Sequence, residues 1–74
     1  MKYYIIKDVV SGLYYRGKGQ NKWGKYFNQA SIFRNLQTAS NSCDGENRRF
    51  KFLKQEGKCV VIEIDIKELN VVYE

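Results

Sequence analysis

The spacing of apolar positions changes three times along this chain, and each change predicts an element. Tyr3 to Val10, YYIIKDVV, is almost wholly aromatic or β-branched, which is the composition of a strand. Alternation sets Tyr4 and Ile6 on one face of it and Tyr3 and Ile5 on the other. Ser11-Gly12 then supplies a turn, and Leu13-Tyr14-Tyr15-Arg16 reads as the returning strand of an antiparallel hairpin. Because both faces carry apolar side chains, the expectation is a sheet covered by helices on one side and partly shielded by tyrosine rings on the other. Gly17, Lys18 and Gly19 end the second strand.

After the loop Gln20 to Phe27 the period lengthens. Asn28 is a candidate N-cap for a helix over QASIFRNLQTASNSC, in which Ile32, Leu36, Ala39 and Cys43 form one stripe and Phe33 widens it. Asp44-Gly45 interrupts that pattern. Glu46 to Glu56, ENRRFKFLKQE, fits two readings: Phe50 and Leu53 suit a helix with Gly57 as its C-cap, whereas Phe50 and Phe52 alternate as in a strand. The helix is preferred. Cys59 to Ile66, CVVIEIDI, is the clearest strand, with Val60, Ile62, Ile64 and Ile66 on one face and Val61, Glu63 and Asp65 on the other. The tail KELNVVYE reads as a turn and a short edge strand. Together these elements predict an α+β fold within one small domain spanning residues 1 to 74. Its three-stranded antiparallel sheet carries one or two helices on one face, in the order β-β-α-(α)-β.

Composition narrows the chemistry. With 74 residues the core is small, and the hydrophobic fraction of 43% with 15% aromatic residues still favours folding over disorder. No apolar run nears the roughly 18 residues of a membrane span, and MKYYIIKD lacks the apolar stretch and cleavage site of a signal peptide. A cytoplasmic protein with no membrane partner is expected, in the bacterial host if the chain is phage-encoded. Cys43 and Cys59 sit in apolar patterns, which favours free buried thiols over a disulfide. There is no histidine, so neither a structural zinc site nor a His-based catalytic pair is expected, and no cofactor is called for. Any chemistry has to use Tyr, Arg, Lys and carboxylates.

The net charge of +5 is unevenly placed. Arg16, Lys18, Lys22, Lys25 and Arg34 fall between Val9 and Cys43 without a single acid, whereas acids predominate after Lys58. Such polarity attracts phosphates or an acidic protein surface. GKGQNKWGK lacks the spacing of a phosphate loop, and the last glycine of a dinucleotide fingerprint would fall on Lys22. A better description is a lysine-bearing turn with Trp23, Tyr26 and Phe27 among Arg16, Lys18, Lys22 and Lys25. Rings for bases and cations for phosphates are the components of a single-strand nucleic-acid site, and Trp, Tyr and Arg are equally those of a protein interface hot spot. Against that, Trp23 and Phe27 are expected to cap the core beneath the helix, leaving Tyr14, Tyr15 and Tyr26 partly exposed.

The hairpin resembles the start of the GIY-YIG nuclease domain. Lys2-Tyr3-Tyr4 stands at the first triplet and Tyr15-Arg16-Gly17 at the second, so both tyrosines and the closing glycine coincide with the motif. The β-β-α-α-β order of that family is similar to the order read above. The resemblance implies metal-dependent phosphodiester cleavage, with Tyr4 and Tyr15 in the tyrosine roles, Arg34 stabilising phosphate charge, and a metal-holding glutamate left open among Glu46, Glu56 and Glu63. More loosely, the short, basic, aromatic chain, with Gly19, Trp23, Ala30 and Phe33 in a GxxxW-type loop and an Ala-x-x-Phe helix, resembles accessory proteins of bacteriophages, some of which antagonise host defence. The expected function is therefore a small non-enzymatic binding protein of that accessory or inhibitor type. It would use Arg16, Lys18, Lys22, Trp23, Lys25 and Tyr26 on nucleic acid or a nucleic-acid-handling host protein. A minimal nuclease and a self-associating protein, paired through the edges of the hairpin or the terminal VVY, are the alternatives.

Overall fold

The computed structural model describes residues 2–17 and 22–65. Lys18, Ile66 and the expected edge strand in KELNVVYE lie outside the described residues. Among the described residues, strand β1 spans Lys2–Asp8, β2 Tyr14–Tyr15, β3 Trp23–Gly24 and β4 Cys59–Asp65; a short 3-10 helix covers Phe27–Gln29 and an α-helix, α1, covers Leu36–Phe52. The four strands form one antiparallel sheet in the order β3-β2-β1-β4, with α1 packed over β1 and β4. The architecture is α+β, as the apolar spacing predicts, with one strand more than expected. That strand, β3, comes from the loop: Tyr15 pairs with Trp23 and Tyr14 with Gly24, two residues that show no strand alternation of their own.

Why the hairpin forms where it does is visible at Asp8. Gly12 takes φ +78°, the left-handed backbone that glycine adopts without strain, and donates its N–H to the Asp8 carbonyl at 2.8 Å. The Asp8 carboxylate accepts from Val10 N–H at 3.1 Å, Ser11 Oγ at 2.7 Å and, across to the start of β4, Lys58 N–H at 2.9 Å. One buried side chain thus ties the turn to the strand fifty residues on.

Helix α1 departs from the expected boundaries at both ends. Its N-cap is Asn35, whose Oδ1 accepts from Gln37 N–H at 2.7 Å and Thr38 N–H at 3.3 Å; Asn28 instead lies in the 3-10 turn. Residues 30 to 34 cannot be helical, because Phe33 exchanges two 2.8 Å backbone bonds with Tyr4 and so extends the sheet beyond the end of β2. Ile32, the expected first residue of the helix stripe, is accordingly 54% exposed. Asp44-Gly45 does not end the helix either. Ala39, Cys43, Glu46 and Phe50 continue one stripe at steps of four, three and four through Gly45, which faces open space. The preferred helix for Glu46 to Glu56 is therefore present up to Phe52, as a continuation of the first helix.

At the C-terminus Leu53 is the cap, Lys54 takes φ +56°, and Gln55 N–H reaches the Phe50 carbonyl at 2.9 Å, a Schellman closure with lysine in the place where glycine is usual. Gly57, expected to be that cap, serves packing: a Cβ there would lie 2.7 Å from the Phe50 ring. Across the sheet, Ile6 stands opposite Val61 and Asp8 opposite Cys59, and this is the face that meets the helix. The Val60, Ile62 and Ile64 side of β4 is thus the one turned away from the helix. On the helix face the core is Ile6, Cys43 and Cys59, with Tyr15, Trp23, Phe33, Phe50 and Val61 packed around it; Ala39 of α1 is buried as well, and so is Ile5, on the other face of β1. Both cysteines are free and buried, as expected. Asn47 fastens the helix to the outer edge of β4, accepting from Cys59 N–H at 2.7 Å and donating to the Cys59 carbonyl at 3.2 Å.

Candidate functional site

Strand β2 is two residues long, yet it divides the candidate residues between two surfaces. Tyr15 points to the helix face and Tyr14 to the outer face, because neighbours on a strand alternate. Around Tyr15 the rings interlock: its ring meets Trp23 edge-on at 5.6 Å and stacks on Phe33 at 6.4 Å, while Trp23 stacks on Phe50 at 5.8 Å. Trp23 is therefore half-buried in the core, as one of its two expected roles requires. Beside these rings, Glu46 occupies the helix stripe and faces Lys22 Nζ at 3.8 Å. Burial, followed by the charge of Glu46 and then Cys59, pushes the Tyr15 phenol above its ordinary value. A phenol shifted that way holds its proton at neutral pH, which disfavours it as a general base.

Of the residues implied by the nuclease resemblance, Tyr4 and Tyr15 share the helix face and both adjoin Phe33. Arg34 is exposed one residue beyond Phe33, before the helix and not on it as expected. Glu46 is the one of the three candidate glutamates that is buried and close to Tyr15. Its carboxylate is already opposed by the Lys22 ammonium, and among the described residues no group of three His, Cys, Asp or Glu side chains could hold a metal.

On the outer face the grouping is different. Lys7 Nζ lies 5.2 Å over the Tyr14 ring, and Tyr14 meets Phe27 at 5.7 Å with the rings nearly perpendicular. Gly24 is opposite Tyr14; a Cβ on it would meet Arg16 Cδ and Gln29 at 2.8 Å, so the Arg16 stem lies across this glycine on the same side as Tyr14. Tyr26 is 61% and Phe27 54% exposed, and Lys25 Nζ is 6.0 Å over the Tyr26 ring. The turn carrying them is held by Gln29 N–H to the Tyr26 carbonyl at 3.0 Å, Ala30 N–H to the Phe27 carbonyl at 3.0 Å, and Tyr26 N–H to Gln29 Oε1 at 3.0 Å. Arg16, Lys25 and Tyr26 of the expected site are thus brought to one region, whereas Lys22 and Trp23 turn toward the helix. Lys7 and Tyr14 join the group although the loop's composition does not point to them, and Phe27 joins it as one of the loop's rings. Lys7 was available from β1 alternation, but its pairing with Tyr14 depends on the hairpin register, Lys7 opposite Tyr14. Phe27 was assigned to the core and is not in it.

No helix among the described residues is long and apolar enough to cross a membrane. The chain matches no family model, no curated protein and no solved structure.

Proposed function

We propose that this chain is a non-enzymatic binding protein, of the kind bacteriophages use as accessory or anti-defence factors. It engages a phosphate-rich or carboxylate-rich partner through the outer face of the β3-β2-β1 end of the sheet. The observation that carries this reading is the gathering of Lys7, Arg16 and Lys25 around Tyr14, Tyr26 and Phe27, in a stretch whose sequence holds no acid from Val9 to Cys43. Cations at that density bind nucleic acid or the acidic, nucleic-acid-handling surface of a host protein, and an inhibitor that works by occlusion needs nothing more. The test is charge reversal of Lys7, Arg16 and Lys25 to Glu, with binding measured on immobilised polyanion across a salt series. Binding should weaken steeply with salt in the native protein and vanish in the variant; retention that is indifferent to both sinks the proposal.

A minimal GIY-YIG-type nuclease is the second reading, favoured by one observation: Tyr15 and the buried Glu46 lie together on the helix face. Nicking assays with several divalent metals decide it. Glu46→Leu is the informative control, because an apolar side chain on that stripe preserves the fold while removing the carboxylate. Cleavage by the native protein that disappears in Glu46→Leu and in Tyr15→Phe would establish the nuclease.

A further inference from the structure

The outer face offers more than charge. Binding to a polyanion by charge alone needs no exposed rings, yet three aromatic side chains stand among these cations, two of them more than half exposed. In a 74-residue chain with a small core, rings left in water forgo burial that the fold could use. They are also held in place: three hydrogen bonds fix the Tyr26 to Ala30 turn, and the Tyr14 and Phe27 rings brace each other at 86°. Two rigid rings at right angles make a step with flat surfaces in two directions. Ammonium groups border it at Lys7 and Lys25, and the Arg16 stem runs beside it.

Every nucleobase has a π face that stacks on such rings, and this stacking tolerates any sequence. A duplex hides those faces inside its own stack, and an acidic protein surface has carboxylates without flat rings in fixed alternation with them. A duplex would use the cations and leave the rings idle, and a protein that packed on the rings would still have to set its carboxylates at the spacing of the three cations around them. We infer that the occupant of the outer face is an unpaired nucleic-acid strand, with bases on Phe27 and Tyr26 and phosphates on Lys7, Arg16 and Lys25. This rests on the binding function proposed above and names its ligand.

Fluorescence anisotropy with a labelled oligothymidylate of about ten nucleotides tests it, beside the same strand paired with oligoadenylate and beside labelled polyglutamate. The single strand should bind about tenfold or more tighter than the duplex. Phe27→Ala should weaken it about fivefold or more, the loss of one stacked base, while leaving the slope of log affinity against log salt unchanged. Since Phe27 is on the surface, circular dichroism should be unaltered. Phe27→Trp should restore affinity and add indole emission that the strand quenches beyond any change in native protein. Equal binding of all three polyanions, insensitive to Phe27→Ala, would overturn the single-strand inference while leaving a basic binding surface in place. A preference for polyglutamate would overturn it in favour of a protein partner. Failure of all three to bind would remove the proposed function along with the inference.

Discussion

Tyr14 and Tyr15 are adjacent, chemically identical, and used in opposite ways. Tyr15 is locked among Trp23, Phe33 and Phe50 on the helix face, where burial raises its pKa and its ring completes a core with few fully buried side chains. Tyr14 faces outward, with a lysine over it and an exposed phenylalanine at its edge. The difference teaches that an aromatic-rich stretch cannot be assigned a role as a block. A two-residue strand suffices to send half of it into packing and half to the surface. The two functional readings divide along the same line, the nuclease resemblance on the helix face and the binding surface on the outer one.

If that division is right, the faces should respond unequally to truncation. Ile6→Ala removes a fully buried side chain at the centre of the core and should cost about 3 kcal/mol, enough to unfold much of so small a domain. Phe27→Ala should cost about 1 kcal/mol, since the ring is more than half exposed and loses its edge contact with Tyr14 and only part of a side chain's burial. Urea titrations of the two variants make the comparison directly. Similar losses in both would mean that the outer rings belong to the core after all.

How far this was legible depended on whether one element's spacing carried the information. The hairpin with its Ser11-Gly12 turn, the strand from Cys59 and the buried free thiols could all be read from local pattern. The start of α1 could not, since Asn28 and Asn35 are equally good caps and the choice is made by Phe33 pairing with Tyr4 from the far end of the sheet. Nor could its continuation: the stripe position after Cys43 is Glu46, a charged residue that interrupts an apolar count although it lies on the buried side. Which side of β4 meets the helix is not legible from its alternation, because Ile and Val occupy the outer side, while the helix side is filled by Cys59 and Val61 and continues into Glu63 and Asp65. Of the site, the cation-aromatic composition was legible. Its division between two faces was not, because the faces are fixed by the register of β2 on β1, Lys7 opposite Tyr14, and by Trp23 and Gly24 pairing with β2, neither of which the spacing within Arg16 to Tyr26 reveals.

Asp8 gives a second, smaller way to separate the faces. It is buried on the helix side of β1 and closes that side at the turn, so its loss should destabilise the fold without altering the outer surface. Burial alone would raise its pKa, but the bonds from Lys58 N–H, Ser11 Oγ and the Val10 backbone outweigh that and hold it below its ordinary value of 3.8. A depressed folded pKa means that the stabilisation is complete above 3.8 and is lost as pH falls through the lower folded value. Asp8→Ala, which strands two backbone donors, should cost about 2 kcal/mol at neutral pH and show a flatter fall in stability under acid than the native chain. An acid profile with the same slope in both would show that Asp8 is not the group responsible.

The smallest effect expected is a gain. Lys54 holds φ +56° to complete the Schellman closure, a conformation in which a side chain is strained and glycine is not. Lys54→Gly should relieve that strain at the end of α1, offset in part by the greater freedom of glycine in the unfolded chain, for a net stabilisation of about 0.5 kcal/mol. Because α1 packs on the helix face, the gain should not reach Tyr14, Tyr26 or Phe27. Thermal melts would read the stability, and affinity for a single strand should stay the same within error. A Lys54→Gly protein that melts higher and binds differently would show the two faces to be coupled through the sheet, and the division drawn at Tyr14 and Tyr15 would then describe packing without describing function.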